Sequence, residues 1–198
     1  MKIKFFRLIM LILLMPGILP AQTEETLTGD ARIKGGFGGP FFLYSTVGEM
    51  HGRGAGGGGG FIIDKFFIGG FGQGETFGKI DVDDQDYYVS IGYGGLWFGY
   101  VAPSNKLLHL LATMKIGWGE AFLSENRDDH STDYNDGAFV IQPEVGIELN
   151  VAHWFRIAGQ AGYRFMNGVN DIPTLQSNDF DSPSFALVLR FGGFGYDR

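Results

Sequence analysis

At 198 residues, with no cysteine and a formal net charge of −7, the chain is one domain's worth of protein. It can form no disulfide, thiolate metal site or lipoprotein anchor, and its acidity argues against a nucleic-acid partner. Thirty-three glycines and 15% aromatic residues, with little helical periodicity, point to an all-β protein.

The chain opens as a targeting segment. Lys2, Lys4 and Arg7 form a basic start, residues 8–14 an apolar core, and Pro16-Gly17 a helix breaker before Ala21-Gln22. This predicts a secretory signal peptide over residues 1–21, cut after Ala21, and a barrel domain over residues 22–198. Removing three positive charges takes the formal net charge from −7 to −10. The apolar core is far shorter than the roughly 20 residues a spanning helix needs. A membrane role for the mature chain must therefore fall to strands.

Residues 23–30 read as a polar lead-in and residues 33–45 as a first strand. Ile33, Phe37, Phe41 and Leu43 lie on one face, and Lys34, Phe42 and Tyr44 on the other; Pro40 is awkward there. A loop is expected over 46–53. Residues 54–63 contain five consecutive glycines, 56–60, which suit either a flexible linker or a strand whose missing side chains admit bulky neighbours. Phe61-Ile62-Ile63, a turn at Asp64-Lys65 and a return arm at 66–73 favour the strand, with register and facing left open. A long polar loop is expected over 74–86.

Residues 87–101 alternate Tyr87, Val89, Ile91, Tyr93 and Trp97 against Tyr88, Ser90, Gly92, Gly94 and Phe98. After a turn at 102–106, residues 107–120 place Leu108, Leu110, Ala112, Met114, Ile116 and Trp118 outward, and His109, Thr113 and Lys115 inward. A loop follows over 121–137.

The hairpin over 138–165 is the most informative stretch. Phe139, Ile141, Pro143, Val145, Ile147, Leu149 and Val151 alternate with Val140, Gln142, Glu144, Gly146, Glu148 and Asn150. After a turn at 152–154, Phe155, Ile157, Gly159, Ala161, Tyr163 and Phe165 alternate with Arg156, Ala158, Gln160, Gly162 and Arg164. Period two means strand, and each arm reaches the roughly 9–11 residues that a membrane-crossing strand requires. Acids on one arm facing arginines on the other suit an enclosed lumen, where unpaired charge costs several kcal/mol (roughly). Glu148 and Arg156 fall within cross-strand reach. After a loop over 167–183, Phe185, Leu187, Leu189 and Phe191 alternate with Ala186, Val188, Arg190 and Gly192.

Eight strands result, joined by connections that run long, short, long, short, long, short, long. That rhythm fits an eight-stranded antiparallel up-and-down transmembrane β-barrel with long loops outside and both termini in the periplasm. The expected lumen network is Lys115, Gln142, Glu144, Glu148, Arg156, Gln160, Arg164 and Arg190. It reads as filling, because eight strands leave an interior just wide enough for side chains. Trp97, Trp118, Trp154, Phe155, Tyr163 and Phe165 are the expected interface aromatics.

The signal peptide, the eight long strands and the aromatic-rich last strand resemble the small outer-membrane barrels of Gram-negative bacteria, of the protein A and protein X type. The glycine- and phenylalanine-rich texture and the Ala-Gln cleavage site are similar to barrels of the Bacteroidota. The resemblance implies outer-membrane localisation, with outer-membrane lipids, lipopolysaccharide and the barrel assembly machinery as partners. It implies no cofactor, and the extracellular partner stays open. Members often end in a phenylalanine; here Phe191 and Phe194 precede Tyr196-Asp197-Arg198.

The expected loops are acidic: Glu75, Asp81, Asp83, Asp84 and Asp86, then Glu125, Asp128, Asp129, Asp133 and Asp136, then Asp171, Asp179 and Asp181. Such oxygens could hold Ca²⁺, but no EF-hand spacing is present, and solvated charge is the default. His130-Ser131 is the one catalytic-looking pair; adjacent side chains in extended chain point apart, so no catalytic, metal or cofactor residue is assigned. The expected role is a non-enzymatic outer-membrane barrel with a closed polar lumen, acting structurally or through acidic loops. The alternatives are a lipid A deacylase-like hydrolase and a soluble secreted barrel holding a hydrophobic ligand.

Overall fold

A computed structural model describes residues 33–101, 106–125 and 134–195. The expected signal peptide, residues 126–133 with His130 and Ser131, and the last three residues lie outside that set. Eight strands follow in order: β1 (Ile33–Val47), β2 (Met50–Ile63), β3 (Phe66–Val82), β4 (Gln85–Val101), β5 (Leu108–Ser124), β6 (Tyr134–Ala152), β7 (Phe155–Asn167) and β8 (Ser182–Gly193). Each pairs antiparallel with the next, and β1 pairs with β8 to close the barrel. Closure leaves no sheet edge, so every strand can pair on both sides without water.

Burial is inverted relative to a soluble domain. Glu148 is fully buried, whereas its neighbours Ile147 and Leu149 are 51% and 38% exposed. The same alternation runs round the wall: Leu108, Leu110, Val145, Val151, Phe185 and Leu187 face out, and Lys115, Arg156, Arg164 and Arg190 face in. A soluble barrel around a hydrophobic ligand would reverse every one of these assignments.

Two expected loops are strand instead. Residues 46–53 narrow to a turn at Gly48-Glu49, because Val47 pairs with Met50 and β2 starts there. Residues 74–86 continue the β3–β4 ladder through Thr76↔Ser90, Lys79↔Tyr88 and Val82↔Gln85, with one bulge. The turn is Asp83-Asp84, both left-handed (φ 55° and 64°), the two-residue hairpin geometry that Asp tolerates. Polar residues there mark a hairpin projecting past the bilayer into water. The loop-length rhythm is thus less regular than the sequence suggests: the first two extracellular connections are as tight as the periplasmic Asp64-Lys65.

The glycine run lies within β2, and its facing is now defined. Gly52, Gly54, Gly56 and Gly58 point inward, where an added Cβ would strike Phe77, Glu75, Phe41 with Gln73, and Trp97 respectively. Bare backbone on β2 thus makes room for large side chains from β1, β3 and β4. Pro40 is tolerated because the β1–β8 ladder passes from Gly38↔Phe191 to Phe41↔Val188 with no pairing at Pro40, which faces out.

This asymmetry predicts opposite outcomes for one substitution at two glycines. Gly56→Val should lower stability by about 1–3 kcal/mol through overpacking. Gly72→Val, where a Cβ meets nothing within 4 Å, should be near neutral. Urea unfolding of the barrel in lipid vesicles measures both.

Candidate functional site: a filled and capped lumen

The inward side chains divide into a largely aromatic half on β1–β4 and a charged half on β5–β8, with Glu75 on β3 the one buried charge of the first half among the described residues. Phe37, Phe67 and Trp97 form a T-shaped cluster with ring centroids 5.0–5.7 Å apart. Trp97 is 1% exposed, so its expected place in an interface girdle is corrected: it faces the lumen, held by Phe41, Phe67 and bare Gly58. Its odd-numbered neighbours Val89, Ile91 and Tyr93 are buried on the same face.

Three polar tiers cross the axis. Nearest the periplasm, Glu148 accepts from Arg156 Nη1 at 2.9 Å and from Arg190 Nη1 at 3.1 Å, and lies 2.9 Å from His109 Nε2. Glu148 pairs with Ala158 and Asn150 with Arg156 in the ladder, so Glu148 and Arg156 meet diagonally. The Arg156 guanidinium lies 3.8 Å over the Phe194 ring. Arg190 stands 4.3 Å over Phe37 and 4.7 Å over Phe67; its Nε and Nη2 make no hydrogen bond and face these rings instead.

In the middle tier Lys115 Nζ donates to Glu144 and to Gln73 Oε1, each at 3.2 Å, 4.5 Å above Phe41. Gln73 Nε2 donates to the Tyr93 hydroxyl, which donates to Gln142 Oε1, both at 2.6 Å. Gln142 Nε2 reaches Glu144 and Ser184, and Thr113 joins Glu144 to Gln160. One connected network therefore spans β3 to β8.

In the outer tier Arg164 uses all three nitrogens. They donate to Glu75, Ser45, Ser182 and the carbonyls of Thr46 and Phe180 at 2.9–3.1 Å. Glu75, expected in a surface loop, is instead 4% exposed and the counter-ion of Arg164. Continuing the alternation Phe71, Gln73, Glu75, Phe77 through the expected loop is the signal that would have found it.

Glu75, Glu144 and Glu148 thus face Lys115, Arg156, Arg164 and Arg190. Cations outnumber anions, and aromatic faces solvate the excess, each such contact worth up to about 2 kcal/mol when desolvated. Both mouths are covered as well. Phe180, in a 3-10 turn at Ser177–Phe180, is fully buried with Val169, Ile172 and Leu175 in the last extracellular loop. Phe194 covers the periplasmic tier.

Asp136, at the water-facing start of β6 beyond Phe139, accepts the backbone N–H groups of Asn170 and Asp171 at 2.6 and 2.9 Å, fastening that loop. These bonds hold its carboxyl below the usual carboxylate range.

The other expected interface aromatics face out. Trp118, Trp154, Tyr163 and Phe165 are exposed, and Phe155 is half-buried, stacked on Phe191 at 4.9 Å. Phe61, Phe66 and Tyr100 complete the periplasmic ring. Asp128, Asp129 and Asp133 lie outside the described residues, as do His130 and Ser131.

No protein-family model and no curated protein sequence matches the chain. Solved structures do resemble it. Neisserial surface protein A aligns over 79% of this chain and 95% of its own, at 9% identity and a TM-score of 0.55. Ail, the attachment invasion locus protein of Yersinia pestis, in complex with the heparin analogue sucrose octasulfate, aligns over 80% and 97%, at 14% identity and a TM-score of 0.52. At these identities the likeness is one of fold. Joined to the apolar belt and the charged interior, it makes the chain a small outer-membrane β-barrel.

Glu148→Gln should cost about 3–5 kcal/mol, because Arg156 and Arg190 are left facing each other without their shared anion. Urea unfolding in vesicles reads the loss, and a change below about 1 kcal/mol would contradict a network held by charge.

Proposed function

We propose that the chain is a non-enzymatic, non-conducting barrel that presents an acidic hairpin at the cell surface. The carrying observation is the packed lumen, closed by Phe180 at one mouth and Phe194 at the other, beside a β3–β4 hairpin that extends past the bilayer. A filled interior leaves the barrel nothing to transport, so its extracellular tip is the surface with work to do.

That tip carries Asp81, Asp83, Asp84 and Asp86 against Lys79, which pairs with Asp86 at 3.2 Å. Gln85 donates to Glu125 at 2.8 Å, bracing the hairpin against β5. Ail holds a polyanion in its complex, whereas the acids on this hairpin favour a cationic partner. In this account the belt contacts outer-membrane lipids and lipopolysaccharide, and the barrel assembly machinery meets a last strand that carries outward Phe191 near its end. No cofactor is required.

Planar-bilayer recordings of the purified barrel should show no steady conductance, and lipid A vesicles should release no fatty acid. Binding of oligolysine should fall about tenfold when Asp81, Asp83, Asp84 and Asp86 become Asn, and fall again with salt. A large stable conductance would overturn the closed lumen, released acyl chains would favour the hydrolase, and equal oligolysine binding by the variant would remove the hairpin's role.

A further inference from the structure

An oblique groove on the outer wall follows one hydrogen-bonded row of the sheet. Val145, Ala161, Phe185, Tyr44 and Arg53 are successive cross-strand partners on β6, β7, β8, β1 and β2. Ala161 and neighbouring Gly159 are too small to fill the wall between Val145 and Phe185. The hollow that results measures about 960 Å³.

Arg53 closes the extracellular end. It faces outward and exposed near the start of β2, above outward Ala55, and its side chain makes no hydrogen bond or ion pair among the described residues. Beside it the Tyr44 hydroxyl and His51 Nδ1 are 2.9 Å apart, with their rings stacked at 5.9 Å. A lipid-facing arginine costs about 2–4 kcal/mol at the bilayer midplane but only about 0–1 near the interface. Arg53 stands toward the extracellular end of the apolar belt, and a guanidinium fork matches phosphate oxygens.

We propose that the groove seats an acyl chain of an anionic, phosphate-bearing outer-leaflet lipid, with the phosphate on Arg53 beside the Tyr44–His51 pair. The order of polarity along the groove matches an amphiphile in its membrane orientation: cation at the headgroup level, apolar trough below. A second copy would instead have to bring an acid to that height, and Glu120 on β5 is one exposed candidate among the described residues. The site rests on the orientation of the belt and is independent of the acidic hairpin, so the failure of either leaves the other standing.

The test is lipid retention, counted by native mass spectrometry after extraction from phosphatidylcholine vesicles doped with lipid A. The wild-type barrel should keep one lipid A in about tenfold preference to phosphatidylcholine, the scale of one charge-assisted contact. Arg53→Gln should abolish the preference. Gly159→Leu, whose Cβ enters open space, should fill the trough and reduce retention of both lipids. Heat-modifiable migration reports that each variant is folded. Equal retention of the two lipids by wild type, unchanged preference in Arg53→Gln, displacement by inorganic phosphate at concentrations comparable to the lipid, or a two-chain complex lacking lipid would each overturn the proposal.

Discussion

Among the described residues, seven charged side chains are confined inside a barrel with room for little else, and that confinement governs the rest of the structure. Removing an ion from water costs several kcal/mol (roughly) even after the protein relaxes. Each tier meets the cost differently. Glu148 is shared between two arginines; Glu144 is tied to Lys115 and two neutral side chains; Arg164 finds a carboxylate, two hydroxyls and two carbonyls. Because the bonds cross from β3 to β8, the network fixes which strands face one another across the axis.

The aromatic half of the lumen makes the surplus cations tolerable. Arg190, Arg156 and Lys115 each lie against ring faces supplied by β1, β3 or the end of the chain. Those rings fit only because the inward positions of β2 are bare. The glycine run is thus a packing device: it lets an eight-stranded wall hold Phe41, Phe77 and Trp97 along with the charges. On the proposed reading, the same filling leaves function to the outer wall and the extracellular surface.

Much of this was legible in the sequence. The hairpin with Glu148 and Arg156 declared its facing by strict alternation, and the apolar positions of β5 and β8 followed the same rule. Legibility failed where polarity has two meanings. Residues 74–86 are polar because they stand in water, yet their backbone remains paired, and Glu75 is polar because it serves the lumen. Trp97 misled for a related reason: an aromatic near a strand end suits either a girdle or a lumen, and only the glycines opposite decide between them. Those glycines carry no side-chain alternation to read, so the facing of β2 emerged only from its neighbours.

The central claim is that the wall is apolar outward and charged inward, and the three tryptophans test it directly. Variants retaining Trp118 alone or Trp97 alone, the others replaced by Phe, can be refolded into vesicles of brominated lipid. Trp118, facing lipid, should lose most of its fluorescence relative to unbrominated vesicles, and Trp97, enclosed with Phe37 and Phe67, should keep nearly all of it. Strong quenching of Trp97 with Trp118 spared would contradict the orientation on which the membrane assignment stands.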